Sequence, residues 1–199
     1  GLDYDQRWCG TMRSASLRLI SSIASKYGLH MHRWDFVTAF LQGSLERGEV
    51  VYCRAPPGYG KRGKDGRERI IRVEKPIYGT AQAGRRWQRC LFPWFQSQGF
   101  IQSHGDSSVF IKTRTGSEGK KEMLIVGCYV DDLFCLHGDD SEGSLYAEFV
   151  AALQSRWKVE DEGPVSDLLN VEFSREKDGT VCLSQGSYIG RMVERYLPE

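Results

Sequence analysis

Apolar positions recur along this chain with two periods, and the switches between them mark out its elements. Leu17, Ile20, Ala24 and Tyr27 fall on one face of a helix predicted over Met12 to Tyr27, opened by Ser14 or Ser16 and stopped by Gly28. His30 to Phe36 then reads as a strand, leading into a short helical turn over Val37 to Leu41 that ends at Gly43. Two extended pieces, Val50 to Cys53 and Arg69 to Val73, flank a loop rich in Gly, Pro and Lys in which Asp65-Gly66 is a hairpin-turn signal. Lys75 to Phe100 begins as a turn and becomes an amphipathic helix with Trp87, Leu91, Trp94 and Phe95 as its apolar stripe. Ser107 to Lys112 reads as a strand and Thr113 to Glu122 as an exposed hairpin loop. Further on, Ser144 to Trp157 is helical with Leu145, Phe149, Ala152 and Leu153 inward. Leu168 to Ser174 and Thr180 to Ser184 read as strands turning at Asp178-Gly179, and a last helix from Ser187 towards Tyr196 places Ile189, Met192, Val193 and Tyr196 on one side.

One stretch breaks the pattern of mixed faces. Met123 to His137 consists of two nearly continuous apolar runs around a single pair of acids, Asp131 and Asp132. Such short, β-branched or aromatic runs predict buried strands joined by a tight turn, with the acids at its tip. Rigid flanks hold the two carboxylates together, so something cationic has to satisfy them. Fixed oxygen ligands with open positions are what a hard divalent cation such as Mg²⁺ requires. Asp is also a favoured turn residue on conformational grounds alone, and an Asp-rich solvated turn is the competing reading. Asp35, at the end of the predicted strand His30 to Phe36, is open to two readings as well. It is either the N-cap of the following turn or a third carboxylate carried beside the hairpin.

Composition narrows the field. The chain has 199 residues, 40% hydrophobic and 27% charged, which suits one folded domain or two small ones. Six cysteines (Cys9, Cys53, Cys90, Cys128, Cys135 and Cys182) show no C-x-x-C spacing, so free thiols are expected and the chain is read as intracellular. No apolar run approaches bilayer length, so no membrane is expected as a partner. A net charge of +1 conceals an asymmetry: residues 1–100 carry 17 Lys/Arg against 8 Asp/Glu, and residues 101–199 carry 10 against 18. That split suggests a basic face for a polyanion, or two sets of solvated charges. Lys61, Arg62, Lys64, Arg67, Arg69 and Arg72 stand between phosphate contact and a solvated turn, and Arg85, Arg86 and Arg89 are placed for phosphate contacts. Gly58, Gly60 and Gly63 match G-x-G-x-x-G without a strand before or a helix after, and Asp65 stands where a P-loop needs Ser or Thr.

With Asp35 and the tetrapeptide Tyr129-Val130-Asp131-Asp132 both in hand, the sequence resembles the reverse transcriptase of copia-type LTR retrotransposons. The segments WDFVTAFLQGSLERGEVVYCRAPPGYG, KPIYGTAQAGRRW, LFPWFQSQGFIQSHGDSSVF, LIVGCYVDDLFCLHG and LLNVEFSREKDGTVCLSQGSYI are similar to successive blocks of that family, in order. The resemblance implies an α+β right-hand polymerase with an antiparallel palm sheet: palm over about 11–42 and 83–173, fingers over about 43–82, and the start of a thumb over about 174–199. It implies RNA-directed DNA polymerisation with two Mg²⁺ or Mn²⁺ ions held by Asp35, Asp131 and Asp132. Phe36, Phe40, Tyr78, Gly79 and Gln82 would line the nucleotide pocket, with the Phe40 ring excluding a 2′-hydroxyl. Tyr129, Val130, Arg85, Arg86, Leu169, Asn170 and Val171 would meet primer and template. Partners implied are an RNA template, a DNA primer–template duplex, deoxynucleoside triphosphates, and the RNase H, integrase and protease of a Pol polyprotein, in a cytoplasmic virus-like particle or the nucleus. By the same resemblance the chain begins after a basic fingers strand and stops short of most of the thumb. The pocket block, usually close to LYGLKQAPRAW, here carries Ile77, Thr80, Ala81, Gly84 and Arg86 at five positions. Those departures keep open a non-catalytic, nucleic-acid-binding remnant.

Overall fold

In chain order the elements are α1 (Ser14–Tyr27), β1 (His30–Phe36), α2 (Ala39–Gln42), β2 (Val51–Arg54), β3 (Ile70–Val73) and α3 (Ala83–Ser97). There follow β4 (Ile101–Gln102), β5 (Val109–Thr115), β6 (Lys121–Tyr129), β7 (Asp132–His137) and α4 (Leu145–Arg156). The chain ends with β8 (Val159–Pro164), β9 (Asp167–Leu168), β10 (Val171–Arg175), β11 (Val181–Ser184) and α5 (Gly186–Tyr196). This computed structural model describes residues 9–60, 62–115, 119 and 121–197. Helices and antiparallel sheets are mixed, and two compact units form: Gly1–Cys9 with Thr38–Trp94, and Gly10–Val37 with Phe95–Glu199.

The larger unit is built on a six-stranded sheet in the order β4-β5-β6-β7-β1-β8. Its middle strands are hydrophobic on both faces because both are covered, which is why β6 and β7 read as continuous apolar runs. On one face Leu17, Ile20 and Ala24 of α1 pack with Ile125, Phe134 and Leu136 of the sheet and with Leu168 and Phe173 of the small sheet β11-β10-β9. On the other, Trp34 donates its indole N–H to the Tyr146 hydroxyl of α4 at 2.9 Å, and Phe36 meets Trp157 edge-on. Phe95 stacks on Phe110 there, with centroids 4.7 Å apart, and Phe100 meets Phe149 edge-on. Gly127 lets strand β6 pass close under Met12, since a Cβ at that position would lie 2.3 Å from the Met12 sulfur.

Most elements follow the apolar pattern, with informative exceptions. Tyr27, expected on the inner stripe of α1, is 62% exposed at the last turn. Neither Ser14 nor Ser16 caps α1; Arg13 holds the N-cap position, and Ser16 donates instead to Asp106. Strands β5 and β6 run into the segment read as a hairpin loop, with Arg114 bridging Glu122 and Glu148; residues 116–118 and 120 of that loop lie outside the described residues. β8, with the sequence VEDEGP, had no strand signal, yet it forms the sheet edge beside β1. Acidic side chains are what an unpaired edge tolerates. The apolar side of α5 is solvent-facing, Ile189 being 58% exposed. Helix α4 starts as its sequence implies, the Ser144 hydroxyl accepting the Ala147 N–H at 3.1 Å. Ser144→Ala is therefore expected to lower unfolding free energy by about 1 kcal/mol, measured by urea titration.

The smaller unit pairs β2 with β3 and carries α2 and the first turns of α3. Trp87 and Leu91 of the α3 stripe are fully buried. Gly43 ends α2, its N–H donating to the Phe40 carbonyl at 3.0 Å, and a Cβ there would lie 3.2 Å from that same oxygen.

Candidate active site

Asp35 is not an N-cap. It lies within β1, and its Cα partner across the β1–β7 ladder is Asp132. Directly opposed residues of an antiparallel pair project to the same face, so these two carboxylates are neighbours. Tyr129 is paired with Asp132 on the next strand, leaving Val130 and Asp131 as the two-residue turn of the β6–β7 hairpin. Val130 takes φ 56°, a left-handed conformation that a β-branched side chain rarely adopts. The Phe36 N–H donates to the Asp131 carbonyl at 2.8 Å, which ties the hairpin tip to the residue after Asp35. Asp35 and Asp132 thus face each other at one end of the sheet, with Asp131 in the turn beside them.

Their electrostatics are those of crowded like charges. Burial, then the charges of Asp131, Asp132 and Glu162, push the Asp35 carboxyl above its ordinary pKa. Asp132 is raised too, by burial first, although Arg33 opposes this. Both Nε and Nη2 of Arg33 reach Asp132 Oδ1 at 2.9 Å, and its Nη1 lies 3.7 Å from Asp167 Oδ1. Burial works against the guanidinium, but the hydrogen bond and charge of Asp132 outweigh it and the Arg33 pKa rises.

Arg33 and Glu162 escaped the sequence reading, and each had a faint signal. Arg33 stands two residues before Asp35, hence on the same strand face. Glu162 is the extra residue of a β-bulge in the β1–β8 ladder, where Arg33 pairs with Gly163 and Trp34 with Asp161. Gly163, at φ 76°, supplies the conformation the bulge needs.

The remaining predicted residues divide between the units. Phe36 is 1% exposed, its ring packed against Trp157 on the helix-covered face; strand alternation turns it away from Asp35, so only its backbone is left for a ligand. Leu169 and Asn170, with φ 55° and 61°, form the tight β9–β10 turn that Val171 follows. In the smaller unit the rings of Phe40 and Tyr78 stack at 4.4 Å. Gly79 and buried Gln82 line a cleft of about 500 Å³ together with Glu49 to Tyr52. Arg86 is ion-paired with Glu46 and with Glu49, the latter at 2.7 Å, and Arg89 with Glu46, so both charges are met internally. Arg85 differs in having no ion pair among the described residues; its buried Nε, like that of Arg86, makes no well-aligned hydrogen bond there. Lys61 lies outside the described residues.

As donors, Asp35, Asp131, Asp132 and Glu162 offer only carboxylate oxygens, the set that hard divalent cations prefer. Among the described residues neither Asp35 nor Asp131 has an ion pair, while Asp132 has Arg33. Among the described residues no three His, Cys, Asp or Glu side chains close into a group able to hold a metal ion. No described helix is long and apolar enough to cross a membrane.

A family described as "Reverse transcriptase (RNA-dependent DNA polymerase)" matches residues 1–197. The chain is 29% identical over 197 residues to the "Retrovirus-related Pol polyprotein from transposon TNT 1-94" of Nicotiana tabacum, a match covering 98% of the chain and 14% of that protein. It is 31% identical over 195 residues to the "Retrovirus-related Pol polyprotein from transposon RE2" of Arabidopsis thaliana, covering 98% and 12%. A "Transposon Ty1-BL Gag-Pol polyprotein" of Saccharomyces cerevisiae is 27% identical over 124 residues, covering 62% and 6%. No solved structure matches. The chain thus spans about an eighth of the length of the first two relatives.

Proposed function

The chain belongs to the reverse transcriptase (RNA-dependent DNA polymerase) family, and from that premise we propose that it carries the nucleotidyl-transfer site of a retrotransposon Pol polyprotein. The observation behind this is the pairing of Asp35 with Asp132 beside the Asp131 turn. In this reading the palm would comprise about residues 11–42 and 83–173, the fingers about 43–82, and the start of the thumb about 174–199.

Asp35 and Asp131 would hold the divalent ions, two Mg²⁺ or Mn²⁺. Once bound, these would acidify the primer 3′-hydroxyl and neutralise charge on the triphosphate and the departing pyrophosphate. The protein's own share is positioning. The sheet fixes Asp35, the strained turn fixes Asp131, and Tyr129 and Val130 flank the place where a primer end would lie. The β9–β10 turn, Leu169 to Val171, would steady that end. Arg85, which has no ion pair among the described residues, would be free to offer its charge to a template or primer phosphate. Arg86 is the weaker candidate, since Glu46 and Glu49 already satisfy it.

In the nucleotide pocket Tyr78, Gly79 and Gln82 would border the base and sugar, and the Phe40 ring, fixed by stacking on Tyr78, would crowd a 2′-hydroxyl. Phe40→Val is expected to raise ribonucleotide relative to deoxynucleotide incorporation by roughly tenfold to a hundredfold. Competitive single-nucleotide insertion measures this, and unchanged sugar selectivity would remove the gate. A template-binding remnant without catalysis is the reading that remains if the chain binds a primer–template duplex and never extends it, with Mg²⁺ or Mn²⁺, alone or joined to flanking Pol sequence.

A further inference from the structure

We propose that Arg33 is an internal counter-cation of the carboxylate cluster: it positions Asp132 and competes with divalent metal for that residue's charge. The inference rests on the metal-site reading above and adds a residue to it.

The geometry is specific. Two guanidinium nitrogens converge on the same oxygen, Asp132 Oδ1, each at 2.9 Å, from a residue 99 positions away in sequence. Nε donates the hydrogen bond and Nη2 adds an ion-pair contact, and this one-oxygen fork holds Asp132 Oδ1 in place as well as offsetting its charge. The third nitrogen points the other way: Nη1 lies 3.5 Å from the Asp167 carbonyl and 3.7 Å from its carboxylate. Arg33 therefore joins the β7 end of the acid cluster to the start of β9, the strand that leads into the Leu169–Asn170 turn. Register places it on the face of Asp35, two residues along β1. Glu162 adds a further anion near the same guanidinium. Among the described residues Arg33 is the cation paired with this group, and it engages one acid of the three.

Two consequences follow. With no metal present, Arg33 lowers the repulsion that would otherwise splay Asp35, Asp131 and Asp132 apart. When a divalent ion arrives it meets a cluster already partly neutralised, with Asp132 drawn towards Arg33 while Asp35 and Asp131 remain unpaired. Removing the guanidinium should therefore weaken the metal-free fold and strengthen metal binding, a pair of opposite effects that loss of a purely structural clamp does not produce. One positive charge at this range is worth about a tenfold change in affinity for a dication.

The test uses Mn²⁺ as probe, with free ion counted by electron paramagnetic resonance and stability by thermal unfolding, on the 199-residue chain. Arg33→Gln is expected to bind Mn²⁺ about tenfold more tightly, to melt lower without metal, and to gain more in melting temperature from Mn²⁺ than the wild type. Arg33→Lys, which keeps the charge and loses the fork, should bind close to wild type and still melt lower without metal. In an Asp132→Asn background, Arg33→Gln should still tighten Mn²⁺ binding, because the guanidinium charge also acts on Asp35, while the loss in metal-free melting temperature should disappear with the partner carboxylate. Should the wild type bind Mn²⁺ through Asp35 and Asp131 while Arg33→Gln binds it equally or more weakly, the counter-cation is overturned and the metal site stands. Should the wild type bind no Mn²⁺, or bind it indifferently to Asp35→Asn and Asp131→Asn, both fall.

Discussion

Asp131→Asn is expected to reduce nucleotide incorporation by roughly a thousandfold or more, the loss of several kcal/mol of charge stabilisation at the reacting phosphate. Primer extension on an RNA template with Mg²⁺, by the chain alone and joined to flanking Pol sequence, measures it. The substitution is informative because it leaves the scaffold intact. Asparagine has nearly the same volume, suits a turn as well as aspartate does, and keeps the carbonyl that accepts the Phe36 N–H. What goes is one negative charge on an acid that no described cation neutralises. Asp35→Asn should behave alike. Asp132→Asn should cost less, since Arg33 already offsets that carboxylate. Equal activity in wild type and Asp131→Asn would remove the metal role altogether.

Acid is expected to destabilise the fold as pH drops below 6.5, through His137. The imidazole is 2% exposed and stacks on Tyr146 with centroids 3.7 Å apart, and burial holds its pKa down, at about 4 against an ordinary value of 6.5. Between those values the unfolded chain takes up a proton that the native one refuses. Stability is therefore fully present above pH 6.5 and falls as pH drops towards 4, by about 3 kcal/mol in all. Asp35 and Asp132 work the other way, because their raised carboxyls take a proton more readily when folded. The comparison that isolates the histidine is with His137→Phe, which retains a stacking ring and cannot titrate. Urea midpoints from pH 7 to pH 4 should fall more steeply in the wild type. Parallel curves would dismiss His137 as the source.

Much of this arrangement was legible in the amino-acid order, for a physical reason. A hairpin buried on both faces must be apolar throughout, so two acids in its midst stand out, and the turn at Val130-Asp131 lies where the run breaks. β1 was legible as well, and with it the position of Asp35 at a strand end. β8 was not. Edge position lets a strand be acidic, and VEDEGP has the composition of a loop until β1 is known to lie beside it. Glu162 was hidden with it. Arg33 was overlooked because its significance depends on register: alternation puts it on the face of Asp35, but only the β1–β7 ladder shows that the carboxylate within its reach is Asp132. Side-chain stripes at helix ends were the other weak point. Tyr27 follows the helical spacing of Leu17 and Ala24 yet extends past the sheet that covers them.

The sheet order β6-β7-β1 also dictates when the three carboxylates come together. β5, β6 and β7 are successive hairpins whose contacts are local, so they can zip up as soon as they leave the ribosome. β1 is synthesised far earlier than both its neighbours, β7 and β8. It must wait, unpaired, for a long loop to close. The step that seats it is the step that brings Asp35 to Asp132, so a nascent or clipped chain ending before the β6–β7 turn holds one acid of the trio and no strand to bring it a neighbour.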